Sequence, residues 1–279
     1  MDVVFLTRTN RPVAIKVLSE ILREQNLNVK GVIAEETLKG KSLSFLKKRF
    51  LRQVRSYGFW NVLVRVLHLI GDKVMHSLRI GYTDGNLTFD DLREICDFKL
   101  HIVKNMHDLG TITLIREMEP EVGVVVGTGI LKPDVFRIPK RGCINLHQGK
   151  VPEYRGGPPA FWELFNDERK IGVTIHFIDD KLDTGDIILQ KEIDISPDDS
   201  LDSLQSKLNE LGKHMVVEAL LNIKDGTFKR IPQGCRRLKI NRLPTKDQRK
   251  MLAKKLKERK RRREISAVSV DQDINPDGR

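Results

Sequence analysis

Asn145 and His147 stand two residues apart at the end of a short apolar run, Gly142-Cys143-Ile144-Asn145-Leu146-His147. In a strand, residues i and i+2 point to the same side. At the carboxyl end of a strand in an open α/β sheet, such a pair projects into the crevice where ligands bind. A histidine there shuttles protons near neutral pH, and a carboxamide NH2 beside it donates to a developing oxyanion. Asp183, in Leu182-Asp183-Thr184-Gly185-Asp186, falls on the loop after the next strand and can orient the imidazole and accept a proton. Together the three suit acyl transfer to a nucleophile that attacks directly, without a covalent enzyme intermediate. Each part also has a plainer reading: Asn-x-His as a strand-end cap, Asp-Thr-Gly as a turn, and His176, inside a strand, as a core histidine.

The elements that must position these residues are legible as short β-branched runs alternating with amphipathic helices. Val3–Leu6, Val29–Ala34, Leu100–Val103, Val122–Val126 and Cys143–Leu146 read as strands, and Ala14–Glu24 and Thr113–Met118 as helices between them. Continuously apolar strands separated by helices predict a Rossmann-like α/β fold, a mostly parallel sheet with helices on both faces. Ile171–Ile178 and Asp186–Gln190 are further strands, and Leu201–Ile223 is a long helix of period near 3.6.

Net charge is +12 over 279 residues, yet it is not spread evenly. Two stretches, Thr37–Gly71 at +8 and Lys246–Arg263 at +9, leave the remaining 226 residues at −5. The first predicts a basic amphipathic helix over Lys39–Ile70, with Leu43, Leu46, Phe50, Val54 and Tyr57 at helical spacing. Such a helix suits an anionic membrane surface, a nucleic acid, a partner or a homodimer contact, or forms a lid with a solvated face. The expected organisation is a catalytic domain over 1–230 with a basic helical insert at 37–95, a short basic C-terminal extension at 231–263 and a disordered tail at 264–279. Three scattered cysteines, Cys96, Cys143 and Cys235, and an opening Met1-Asp2-Val3-Val4 without a basic leader point to a reducing, cytoplasmic setting with no zinc site.

The stretch Val122–Gln190 resembles the catalytic domain of the folate-dependent formyltransferases, which include glycinamide ribonucleotide, methionyl-tRNA and nucleotide-sugar N-formyltransferases. The likeness rests on four parts in order: Asn145-x-His147, the loop Pro152-Glu153-Tyr154-Arg155-Gly156-Gly157-Pro158-Pro159, the histidine-bearing strand Gly172–Ile178, and Leu182-Asp183-Thr184-Gly185. The resemblance implies the formyltransferase fold, 10-formyltetrahydrofolate as formyl donor, a primary amine as acceptor and no metal. It further implies that Asn145 and protonated His147 stabilise the oxyanion while Asp183 holds His147 and relays protons through water. By the same resemblance the pterin lies against Val126, Gly127, Thr128, Gly129 and Leu131 and the loop Ile178, Asp179 and Asp180. Tyr154, Arg155 and Gly156 fall on the acceptor loop, and Thr174 and His176 take supporting roles. Gly127-Thr128-Gly129 is not a dinucleotide fingerprint, because no G-x-G-x-x-G opens a helix there.

Departures from the family pattern narrow the acceptor. The first strand ends Thr7-Arg8-Thr9-Asn10-Arg11-Pro12, without the glycine-rich phosphate cradle of the glycinamide ribonucleotide branch. After Lys229 about 50 residues follow, where the methionyl-tRNA branch carries a barrel of roughly a hundred. By elimination the expected acceptor is a small metabolite amine, a nucleotide-linked amino sugar. Two alternatives stay open: a methionyl-tRNA-type enzyme or RNA-associated factor using the basic segments, and a formyltetrahydrofolate hydrolase.

Overall fold

The computed structural model describes residues 1–9, 11–36, 88–234 and 240–274. The basic helix expected over Lys39–Ile70, with the membrane, partner and dimer contacts expected of it, lies outside the described residues. Five parallel strands open the sheet: β1 (Asp2–Arg8), β2 (Asn28–Glu35), β3 (Leu100–Val103), β4 (Val122–Val126) and β5 (Cys143–His147). β6 (Lys170–Phe177) and β7 (Ile187–Asp194) extend it antiparallel, giving the order β3-β2-β1-β4-β5-β6-β7. The mostly parallel α/β sheet is the architecture expected from the apolar runs.

Both faces of the inner strands are covered, which is why these strands are apolar throughout rather than alternating. Val3 and Phe5 of β1 face helix α1 (Pro12–Arg23) and the long helix α6 (Leu201–Asp225), in one cluster with Leu18, Ile21, Leu208 and Met215. Val4 and Leu6 face the other way, into a second cluster with Ile112, Ile115, Val125 and Val135. That second layer holds α3 (Leu109–Glu117) and α4 (Pro133–Phe136). Pro12 opens α1, where its missing N–H has no partner to lose. A Ser200–Ser203 capping box starts α6, and Gly226 in the left-handed region ends it.

Residues 88–95, placed in the insert from sequence, belong to the body instead. Thr88 and Asp91 form a capping box for α2 (Phe89–Ile95), whose Phe89 and Leu92 are buried in the α1 cluster. The C-terminal extension packs onto the body. Residues 240–244 cross to the loop after β5, and α7 (Lys246–Ile274) follows with Leu252 only 1% exposed. α7 lies against α5 (Phe161–Phe165), with Lys255 Nζ donating to Phe165 O at 2.8 Å. Helix continues through 264–274, expected as disordered. Ala, Glu, Gln and the basic residues upstream propagate helix well, and no Pro or Gly interrupts before Pro276. Among the described residues, no helix is long and apolar enough to cross a membrane.

Candidate active site

The chain runs outward from β1 to β3 and then returns to β4, so the sheet reverses direction between β1 and β4. At such a switch point the loops leaving the two strands diverge and open a crevice at the carboxyl ends. A cavity of about 440 Å³ occupies that position, the size of a small-ligand site. Its walls come from Arg11 and Val13 after β1, from Val126 to Leu131 after β4, and from Ile178, Asp179 and Lys181 to Asp183 after β6. Asn145, His147 and His176 line it from β5 and β6. A second depression of about 470 Å³ lies at the opposite, amino-terminal ends of the strands, among charged surface residues such as Asp2, Lys30, Glu121 and Arg141.

The antiparallel register of β5 with β6 sets Asn145 directly opposite His176 and His147 opposite Thr174. Asn145 and His176 therefore meet side by side, with Asn145 Nδ2 3.2 Å from His176 Nε2. Asp183 enters from the β6–β7 loop in the left-handed region (φ 52°). Its carboxylate lies 3.5 Å from His147 Nδ1 through Oδ2 and 3.7 Å from His176 Nε2 through Oδ1. The backbone N–H of Gly156 donates to Asp183 Oδ2 at 2.8 Å.

Hydrogen-bond partners assign the protons. His147 Nε2 lies 2.7 Å from Tyr154 O, and a carbonyl only accepts, so Nε2 carries hydrogen. His176 Nδ1 lies 2.7 Å from Phe177 O and carries hydrogen for the same reason. Neutral His176 then accepts at Nε2 from the Asn145 amide, and the second amide hydrogen of Asn145 is left for the cavity. His147 Nδ1 faces the Asp183 carboxylate, a lone pair against a charge until a proton enters between them.

Burial and charge act in opposite senses on this pair. Burial pulls the His147 imidazole below its ordinary value, and the attraction of Asp183 and the Tyr154 carbonyl only partly offsets that. Burial pushes the Asp183 carboxyl up, but His176, His147 and the Gly156 N–H more than cancel it and hold the group at about 2. Asp183 is thus a carboxylate at any working pH, and His147 rests neutral beside it.

All three residues expected to be catalytic converge, and of those expected to hold the pterin, Val126, Gly127, Thr128, Gly129, Leu131, Ile178 and Asp179 line the cavity. Asp180 does not: it is exposed and pairs with Arg137 at 3.3 Å. Asp179 is turned within its own loop, accepting from Thr184 Oγ1 and Lys181 N. Gly156 reaches the cavity, but the Tyr154 ring points away, its hydroxyl donating to Glu168 at 2.7 Å. Tyr154 and Arg155 contribute through backbone, the former to His147 and the latter to residue 241. Thr174 stands behind the site, fully buried, donating to Gly149 O at 2.8 Å and so bracing the turn after His147. Side-chain signals in the sequence could not show that Tyr154 acts through its carbonyl. Gln148 and Gln205, which line the cavity from the turn after β5 and from α6, carried no motif at all.

Residues 88–220 match the family model described as formyl transferase. A methionyl-tRNA formyltransferase of Thermodesulfovibrio yellowstonii is 38% identical over 152 residues, covering 53% of this chain and 49% of that protein. The chain thus spans about half the length of the curated relatives it matches. A solved sugar N-formyltransferase from a Shewanella species superposes with a TM-score of 0.54 at 15% identity, covering 86% of this chain and 76% of that one. A phosphoribosylglycinamide formyltransferase from Bacillus halodurans gives 0.52 at 15% identity, over 80% and 95% of the two chains. These superpositions show the same fold. The segment that matches the formyl transferase family model, residues 88–220, carries Asn145, His147 and Asp183 together.

Proposed function

We propose that this protein transfers the formyl group of 10-formyltetrahydrofolate to a primary amine. The observation that carries the reading is the convergence of Asn145, His147 and Asp183 on one cavity at the sheet's switch point. Apolar walls from Val126, Leu131 and Ile178, with the backbone of 127–129 beside them, suit a flat pterin held largely by main-chain groups. A neutral amine attacks the formyl carbon unaided. The new C–N bond forms as the carbonyl pair moves onto oxygen, where the amide of Asn145 donates. His147 Nε2–H is engaged by Tyr154, so His147 acts as a proton store beside Asp183 rather than as a second direct donor. The proton shed by the attacking nitrogen passes by way of Asp183, through water, to the folate nitrogen as that C–N bond breaks. Purified protein should release tetrahydrofolate from 10-formyltetrahydrofolate only when an acceptor amine is present. Equal release without amine would show hydrolysis instead.

A specific observation favours an RNA-borne amine over the amino sugar expected by elimination. Lys246, Lys250, Lys254, Lys257 and Arg261 are exposed on α7 at steps of four, four, three and four. At 100° per residue they fall within an arc of roughly 80°, opposite Leu252, and span about 22 Å. Glu258 answers only Lys254, at 3.8 Å. This cationic row begins directly after residues 240–244, which border the acceptor loop. The curated relatives that match about half of the chain are methionyl-tRNA formyltransferases. Formylation of aminoacylated tRNA, weakening steeply from low to physiological salt, supports this acceptor. Formylation of a nucleotide-linked amino sugar, with tRNA inert, restores the small-molecule reading.

A further inference from the structure

Residues 240–244 touch no reacting group, yet they are paired to the loop that does. Asn241 N donates to Arg155 O at 2.9 Å, and Gly157 N donates to Asn241 O at 3.3 Å, so Asn241 brackets Gly156 in a parallel bridge. The Gly156 N–H is turned the other way, onto Asp183 Oδ2. Gly156 sits at φ 84°, and a Cβ there would collide with Asn241 O, so the two backbones meet as closely as glycine permits. Two residues earlier, Tyr154 O receives the hydrogen of His147 Nε2. One short stretch of main chain therefore faces Asn241 on one side and His147 and Asp183 on the other.

The crossing segment is itself fastened. Trp162 Nε1 donates to Arg242 O at 2.9 Å, Pro244 is buried, and α7 is pinned by Leu252 and by Arg259, which donates to Ile195 O at 3.1 Å. The 240–244 segment is therefore held to the body at Arg242 and Pro244 and by the docked helix that follows it.

We propose that residues 240–244, with Asn241 at their centre, are a positioning strap: they fix the Tyr154–Gly157 loop so that its carbonyl and amide hold His147 and Asp183 in the reactive arrangement. The strap rests on the proposed formyl transfer for its purpose, but its effect on Asp183 is readable without any reaction. A loop held from one side only keeps its fold and loses its register by a fraction of an ångström to an ångström, and displacements of that order cost up to about a hundredfold in rate.

The test uses two variants of the full chain. Asn241→Pro removes the N–H given to Arg155, and Trp162→Phe removes the donor to Arg242 while keeping the ring. Turnover, KM for the folate donor, thermal midpoint and the Asp183 carboxyl titration by 13C NMR are read for each. The strap predicts a kcat lower by about ten- to a hundredfold with KM for the donor changed less than twofold. It also predicts an Asp183 midpoint moved up from about 2 toward the ordinary carboxylate range, as the Gly156 N–H withdraws. Trp162→Phe moves both in the same direction by less. A lowered thermal midpoint with kcat and the Asp183 titration unchanged overturns the proposal, because the segment would then only stabilise the fold. Should Asn241→Pro fail to fold, Trp162→Phe decides by the same readouts. Should the wild-type protein transfer no formyl group, the titration alone still decides the strap, while the functional reading falls separately.

Discussion

Replacing Asp183 by Asn isolates what its charge does. Asp183 holds φ 52°, a region that Asn tolerates and Ala does not, so Asp183→Asn changes the charge without straining the backbone. Asn can also keep accepting the Gly156 N–H at its carbonyl oxygen. What is lost is attraction to the imidazolium that forms at His147, 3.5 Å away. With an effective dielectric near 20, two unit charges at that distance attract by about 5 kcal/mol. The depression of Asp183 from 3.8 to about 2 amounts to about 2.5 kcal/mol, but it sums the contacts with His176, His147 and the Gly156 N–H, net of the burial that opposes ionisation. Burial is the same before and during reaction, so the larger figure governs the rate. Turnover should fall by about three- to five-thousandfold, with the donor's KM little changed. Tetrahydrofolate release in a single turnover, with amine saturating, measures this. A loss of less than tenfold in a folded Asp183→Asn protein would refute the assignment of Asp183 as the charge that supports His147.

Three further outcomes follow from the same structure. Glu163 is 3% exposed and burial raises it to about 7, so its stabilising protonated form is full below its unfolded value and is lost as pH rises through about 7. Glu163→Gln should therefore stabilise the fold by about 3 kcal/mol at pH 8 and do little at pH 4, as read by urea melts. Asp183 is depressed, so its contribution is present above its unfolded value near 3.9 and is lost as pH falls through about 2. Wild-type stability should fall in two stages: lowered His147 gives a loss beginning below about 6.5, and the Asp183 contribution, which Asp183→Asn lacks, disappears as pH falls from about 4 to about 2. Leu252→Ala should cost about 2–4 kcal/mol, since Leu252 is 1% exposed within the main core; a cost under 0.5 kcal/mol would mean that α7 is not docked in solution.

The sheet was legible because buried parallel strands are written as uninterrupted β-branched runs, and β4, Val122–Val126, ends on the residues assigned from sequence. The candidate pair Asn145 and His147 was legible because period-two geometry alone forces both to one side of the strand. Register was not legible: that β6 runs antiparallel and brings His176 opposite Asn145 depends on pairing between segments 31 residues apart. Nor was the work of Tyr154 and Gly156, since backbone carbonyls and amides are common to every residue type. Docking of α7 was hidden by its composition. One apolar side chain per turn among lysines reads as a solvated helix, and only the groove beside Phe161 and Phe165 reveals why Leu252 and Leu256 suffice.

The tautomer of His176 controls the chemistry that Asn145 can do. With its Nδ1 hydrogen given to Phe177 O, His176 offers a lone pair at Nε2, and the Asn145 amide meets it with nitrogen. That orientation leaves a second N–H of the same nitrogen for the cavity, which is what a developing oxyanion requires. A proton added at His176 Nε2 would turn toward Asp183 Oδ1, 3.7 Å away, and leave Asn145 facing a donor. The amide would then flip to present its oxygen to His176, an arrangement that turns its nitrogen from the position it now holds. Asp183 thus has two histidines to choose between, and only protonation of His147 leaves Asn145 as a donor. The Phe177 carbonyl, fixed by the strand, and the Tyr154 carbonyl, fixed by its loop, set where the hydrogens rest before any substrate arrives. In the proposed formyl transfer, two main-chain oxygens therefore set the hydrogen arrangement on which the roles of Asn145, His147 and Asp183 depend.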